Sequence, residues 1–309
     1  MVSLQTSGMS LANDPRILAG AAAGLVSAVA ALFAFNGLPM GTMLFWLSPL
    51  PLFLAGLGFG LVAFGLALVV AVVALLLASH GVAPALVWLG AYGVPAALLL
   101  GTGLKAGPQL SLGLPLALLG LWPAVVVLFA SLWLAGPDGG LEAELRQAVS
   151  LGLARMGVEA PAAMVERIVR LKAAAVALWL GFVLAANAGF AQRLLARHGL
   201  ALRPGVVWRH ARLPRWYPAL PALAVLAWVL AEPDATLLPM SLTLVLAVPL
   251  LLQGLAVLHT RLRPVAWRAP VLAAVYVLLF VFSLPCAVIL VALGLVEQFG
   301  RALPPPANS

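Results

Sequence analysis

The sequence predicts an all-α fold, a polytopic transmembrane helix bundle of about nine spans, with eight to ten as the range. Three observations carry that expectation. The 309 residues are 64% hydrophobic and only 8% charged, with a mean hydropathy of +1.13, whereas soluble domains carry about 25% charged residues. No Asp, Glu, Lys or Arg occurs from Ile17 to Leu104, a run long enough for about four spans of roughly 20 residues each. The basic residues, finally, collect in short segments between apolar runs. Residues 192–218 hold Arg193, Arg197, Arg203, Arg209, Arg212 and Arg215 and no acid.

Short loops rich in Lys and Arg remain on the cytoplasmic side of a membrane. Segment 192–218 therefore orients every other span. Arg16, Lys105 and Arg261–Arg268 then fall on the same side. Glu232 and Asp234 fall on the other, with the charge-balanced insert 137–172. This places the chain in the bacterial cytoplasmic (inner) membrane, multi-pass, with its amino terminus in the cytoplasm. The net charge of +8 reflects this bias rather than a nucleic-acid surface, because the arginines sit in loops between spans. The lipid bilayer is the expected partner, and nucleic acid is not.

In chain order, the first span covers residues 17–35, and Arg16 before it resembles the start of a signal peptide. The apolar run exceeds a usual signal core and ends in Phe33-Ala34-Phe35, a poor cleavage site, so it reads as a retained span. Gly20, Gly24 and Ala28 recur every four residues and form a small-residue ridge that suits close contact with a partner helix. Asn36-Gly37-Leu38-Pro39 reads as a turn. Span 2 (43–57) contains Ser48-Pro49-Leu50-Pro51; its two prolines remove amide donors and kink a helix. The glycines at 56, 58 and 60 turn the chain into span 3 (61–77). Without a following Lys-Ser/Thr they are no phosphate loop. Span 4 (83–100) contains Tyr92-Gly93-Val94-Pro95, and span 5 (114–134) contains Trp122-Pro123.

The insert 137–172 carries five acids and five bases, and Leu145, Val149, Leu153 and Met156 form an apolar stripe within it. That pattern suits an amphipathic helix on the membrane surface. Pro161 opens a helix running on into span 6 (173–190). Span 7 (219–230) is short, span 8 covers 237–258, and the run 271–296 is either one kinked helix or two short ones broken near Pro285. The whole chain, 1–309, reads as a single integral membrane domain carrying that insert.

Ionisable groups inside spans are the usual pointers to chemistry in membranes, and these spans lack a central one. No His, Cys, Asp or Glu spacing suits a metal, and no nucleophile–histidine–acid set stands out. With Cys286 as the single cysteine, there is no disulfide framework. The expectation is a protein that is not an enzyme and carries no cofactor. Candidate ligand or packing residues are Ser48, Pro49, Pro51, Tyr92 and Gln253; candidate partner contacts are Gly20, Gly24, Ala28 and His259.

Three segments resemble a known family: PLFLAGLGFG at 51–60, QGLAVLH at 253–259 and ALGLVEQFGR at 292–301. They are similar to the YybS-like family of bacterial polytopic membrane proteins, a family of unknown function. That family is in turn distantly similar, at the level of fold, to the substrate-capture subunits of energy-coupling-factor transporters. The resemblance implies a small-molecule ligand and a membrane-protein partner docked through small-residue ridges. It transfers no particular ligand. The alternative is a non-catalytic membrane scaffold or assembly factor working through its arginine loop and surface helix. PLFLAGL at 51–57 and PLLLQGL at 249–255 also echo one another.

Overall fold

The computed structural model describes residues 14–79, 81–104, 110, 112–135, 140–205, 212–232 and 235–300. The described residues form α-helices joined by turns, with one π-helical turn. Eight helices among them are long and apolar enough to cross a membrane. Packing groups the chain into two compact units, Met1–Ser111 with Leu180–Val206, and Leu112–Trp179 with Val207–Ser309.

The first unit opens with α1 (Pro15–Phe35). Its start is capped by the Asp14 carboxylate, which accepts the Arg16 amide hydrogen at 2.9 Å, and Pro15 costs nothing at a position whose N–H would be orphaned anyway. Asn36 closes it, donating its side-chain amide to the Leu32 carbonyl at 2.9 Å. Span 2 is broken into α2 (Gly41–Leu47) and α3 (Pro49–Phe59) at Ser48. Pro49 has no N–H for the Phe45 carbonyl, which instead accepts the Ser48 amide. One residue, Gly60, separates α3 from α4 (Leu61–Ala78). Its φ of 92° and ψ of −179° lie in a region essentially closed to side chains. Span 4 is α5 (Ala83–Trp88), a π-helical turn over Leu89–Gly93, and α6 (Val94–Gly103).

The small-residue ridge of α1 packs within this unit. Gly20 lies against the Ala63 carbonyl and Gly24 against that of Ala67, so the contacts advance together and the two helices run in the same direction. Ser27, Ala28 and Ala31 of α1 are buried too, as are Ala63, Ala67 and Ala71 of α4. At Gly20 and Gly24, two of the positions expected to meet a partner, α4 of the same chain packs against the ridge. The backbones approach this closely because neither side interposes a bulky side chain.

The second unit contains α7 (Gly113–Trp133), which continues through Pro123, and α8 (Gly140–Arg155). It also holds the first part of α9 (Ala162–Arg197), whose second part belongs to the first unit. At 36 residues, α9 is about 54 Å long, far beyond the roughly 30 Å hydrocarbon core. Its charged beginning, Glu166 to Lys172, stands outside the apolar stretch that starts at Ala173. As expected, Pro161 opens this helix: its carbonyl accepts the Met164 and Val165 amides.

α10 (Ala219–Leu230) has only 12 residues. α11 (Leu237–Arg261) is the central helix of its unit, with 67% of its apolar window buried. Around it gather Ala124 of α7, Ala177 of α9 and Ala224 of α10, against Val245, Leu246 and Val248. The run 271–296 resolves into two helices, α12 (Arg268–Val281) and α13 (Ser283–Gly300), separated at Phe282. The break at Phe282 puts Pro285 in the first turn of α13, where its missing N–H leaves no helical bond unmade.

α13 crosses α11 backbone to backbone. A methyl group at Gly254 would overlap the Leu290 carbonyl oxygen, and one at Gly294 would overlap that of Leu250. Further along, Arg261 meets Glu297. From the crossing, where Gly254 also meets the Gly294 nitrogen, to the Arg261–Glu297 pair both helices advance, so α11 and α13 run in the same direction and α12 is the return leg between them.

Candidate functional site

Most of the polar side chains buried among the described residues that bond across helices gather at two places, one in each unit. In the first unit they surround the break at Ser48, which is completely buried. The Ser27 hydroxyl of α1 donates to the Ser48 carbonyl. The Trp88 indole N–H of α5 donates to the Ser48 hydroxyl at 3.1 Å. From α9, the Asn187 side-chain amide donates to the Trp46 carbonyl at 2.9 Å and to its own Val183 carbonyl at 2.7 Å. Irregular backbone at membrane depth persists only where other groups satisfy it, and here three helices supply donors to one broken span.

Tyr92, at 1% exposure, sits in the π-helical turn, its ring centroid 4.9 Å from that of Phe45. Pro49 is buried and Pro51 half-buried. Ser48, Pro49 and Tyr92 thus join one packed centre with Trp88 and Phe45, while Gln253 belongs to the other unit.

In the second unit the centre is Gln253, 1% exposed on α11. Its Oε1 accepts the Leu213 amide at 3.2 Å. Its Nε2 donates to the Gly294 carbonyl at 3.2 Å and to Gln298 Oε1 at 3.1 Å. Gln298 Nε2 in turn donates to the Leu213 carbonyl at 2.8 Å. Two amides therefore clamp the segment before α10 and the helix α13 onto α11, beside the glycine crossing. The Glu297 carboxylate, mostly buried, lies 3.6 Å from the exposed Arg261 guanidinium. Tyr217, fully buried, donates its hydroxyl to the Leu246 carbonyl at 2.9 Å, on the α11 turn where Pro249 sits.

Gln253 and His259 point to different neighbours, as their separation of about 120° around a helix requires. His259 Nε2 lies 2.8 Å from the Tyr276 hydroxyl of α12. His259, expected to mark a helix end or a partner contact, makes this bond within the chain. Of the apolar stripe on α8, Val149 is buried, Leu145 and Leu153 are half-buried and Met156 is exposed. Arg146 bonds Glu142 at 2.6 Å and Glu166 of α9 at 2.9 Å, and Arg170 bonds Glu166 at 2.9 Å. These hydrogen bonds, first Arg146 and then Arg170, hold the Glu166 carboxyl below its ordinary range. A wide-open cleft of about 620 Å³ lies beside them, lined by Arg146, Ser150, Val165 and Glu166 among others.

Asn187, Gln298 and Trp88 were not anticipated as site residues. Asn187 has a sequence signal: it is a lone amide near the end of an otherwise apolar span, and a search confined to ionisable residues passes over it. Gln298 has none by itself, because its neighbours come from segments 40 and more positions away. His80, His210, Lys105, Gln109, Arg209, Trp208, Asp138, Asp234 and Arg301 lie outside the described residues. Among the described residues, no three of His, Cys, Asp and Glu come together as a metal would need.

The chain matches no family model, and neither a curated protein nor a solved structure shows significant similarity to it. Fold and site together define a class: this is a polytopic α-helical membrane protein, with its buried polar groups at span breaks and crossings. The YybS-like resemblance rests on its three segments alone.

Proposed function

We propose that this protein handles a small molecule in the membrane, as a transporter or as the membrane subunit of one. The observation that carries the proposal is the centre of the first unit. One span broken at Ser48 and another carrying a π-helical turn meet there around buried hydroxyl, indole, phenol and amide groups. Broken spans with polar neighbours are how membrane transporters build substrate and ion sites near mid-membrane, and π-turns recur at functional sites. On this reading the YybS-like resemblance and the likeness to substrate-capture subunits point the same way. No catalytic step is assigned, and any driving force comes from an ion gradient or a separate subunit.

The proposed orientation puts the amino terminus and the segments bearing Arg193–Arg215 and Arg261–Arg268 in the cytoplasm. Because α13 runs parallel to α11, the Gly300 end of α13 returns to the side of Arg261. The deciding experiment is mass spectrometry of the protein purified in native lipid, alongside a Tyr92→Ala variant. A co-purifying small molecule that the variant loses supports the proposal. An empty protein recovered with a stable protein partner would replace it with the scaffold reading.

A further inference from the structure

We propose that the Ser48 break and Asn187 form a binding site for a single alkali-metal cation. The inference deepens the reading above, since it rests on the first unit's centre being functional, and adds the kind of species held there.

Asn187 is 6% exposed, and its side-chain oxygen, Oδ1, is buried with no hydrogen-bond partner. The amide cannot be reversed to remove the problem. Nδ2 donates to two carbonyls, of Trp46 and Val183, and a flipped amide would set an oxygen against both. Oδ1 is thus an acceptor held beside the carboxyl end of α2 by the same amide that bonds Trp46. A buried polar atom without a partner is costly in a protein interior. It calls for a species that interacts favourably with oxygen.

The surroundings select the species. Free donors are scarce at this break. Pro49 and Pro51 supply no amide hydrogens to the turn before them, while the Ser27 hydroxyl and the Trp88 indole are already spent on Ser48. Amide and carbonyl oxygens are hard ligands suited to hard cations. From Ile17 to Leu104 the chain has no Asp or Glu, so no carboxylate from these spans offsets a divalent charge, whose desolvation far exceeds that of a monovalent one. Unwound backbone carbonyls with neutral side-chain oxygens are the arrangement by which transporters hold coupling cations.

The test uses the full-length protein in nanodiscs, with its unfolding temperature followed while lithium, sodium or potassium chloride replaces choline chloride at constant ionic strength. A saturable rise with one alkali ion, absent in Asn187→Leu, is the expected result. Gln192→Leu, which removes a different buried amide of the same helix that bonds the Arg203 carbonyl, should lower the melting temperature yet keep the ion response. If Asn187→Leu fails to fold, Asn187→Asp decides: the added charge should lower the half-saturating concentration about tenfold at pH 8. Equal melting in every salt, or an Asn187→Asp response like that of the parent, would overturn the proposal and leave a water molecule as the partner of Oδ1. Ligand recovery by mass spectrometry is independent of this result, so either reading can fail alone.

Discussion

Gln253 and His259 lie six positions apart on one helix, yet burial separates their roles. Gln253 holds three partners where water is excluded. Replacing it with Leu strands the Leu213 amide and takes the donor from Gln298 Oε1. Each buried orphan costs about 1–3 kcal/mol, so Gln253→Leu should destabilise by about 2–4 kcal/mol in chemical or thermal unfolding. His259 makes one partly exposed bond, to Tyr276, worth about 1 kcal/mol at most. His259→Asn and Tyr276→Phe should therefore have similar small effects, and the double variant should cost no more than either alone. Full additivity would show that the two side chains do not interact.

At the scale of helices, small residues set how closely elements approach. A methyl group at Gly24 would press on the Ala67 carbonyl, whereas one at Gly65 meets nothing within 4 Å. Gly24→Ala should lower the melting temperature, with overpacking of about 1–3 kcal/mol. Gly65→Ala should leave it unchanged or raise it, since Ala outranks Gly in a helix by about 1 kcal/mol. Equal responses would mean that α1 and α4 are not packed through the ridge. Gly60→Ala should also destabilise, for a different reason: its φ of 92° is closed to a β-carbon.

The α8–α9 contact adds a pH dependence. Because Glu166 is held below its ordinary range by Arg146 and Arg170, its stabilisation is present above the normal carboxylate pKa. It is lost as pH falls through the lowered folded value. The pairs are partly exposed, so the effect is small and screened by salt. Proteolysis within residues 156–161 should accelerate in acid, and Glu166→Gln should show the acid rate already at neutral pH. A variant indistinguishable from the parent at pH 7 would remove the latch role.

For the whole molecule, the decisive measurement is orientation. In a Cys286→Ser background, an impermeant thiol reagent should label Glu232→Cys from outside and leave Arg197→Cys and Arg263→Cys protected. The reverse pattern would invert every span. A fourth variant, Gly300→Cys, tests the parallel course of α11 and α13: it should be protected together with Arg263→Cys.

Helices and their class were legible in the sequence because the bilayer imposes one simple rule. Apolar runs of sufficient length must be helical, since no water is present to satisfy their backbone. That rule predicted the break at Ser48, the helix opening at Pro161 and the insert ahead of span 6, each marked by proline or charge. It left 271–296 open between one helix and two, because proline allows either a kink or a stop; packing of α13 against Gly254 and Leu250 chose the stop. The ridge at Gly20, Gly24 and Ala28 was visible as a surface for close approach, but its partner was not. Periodicity shows which face of a helix is small and says nothing about what lies opposite. The same holds for the buried amides. Gln253 and Asn187 each appear in the sequence as one polar residue in an apolar run. That one clamps two distant segments while the other leaves an oxygen unanswered at a helix break depends on neighbours brought from 40 to 141 positions away, and only tertiary packing decides that.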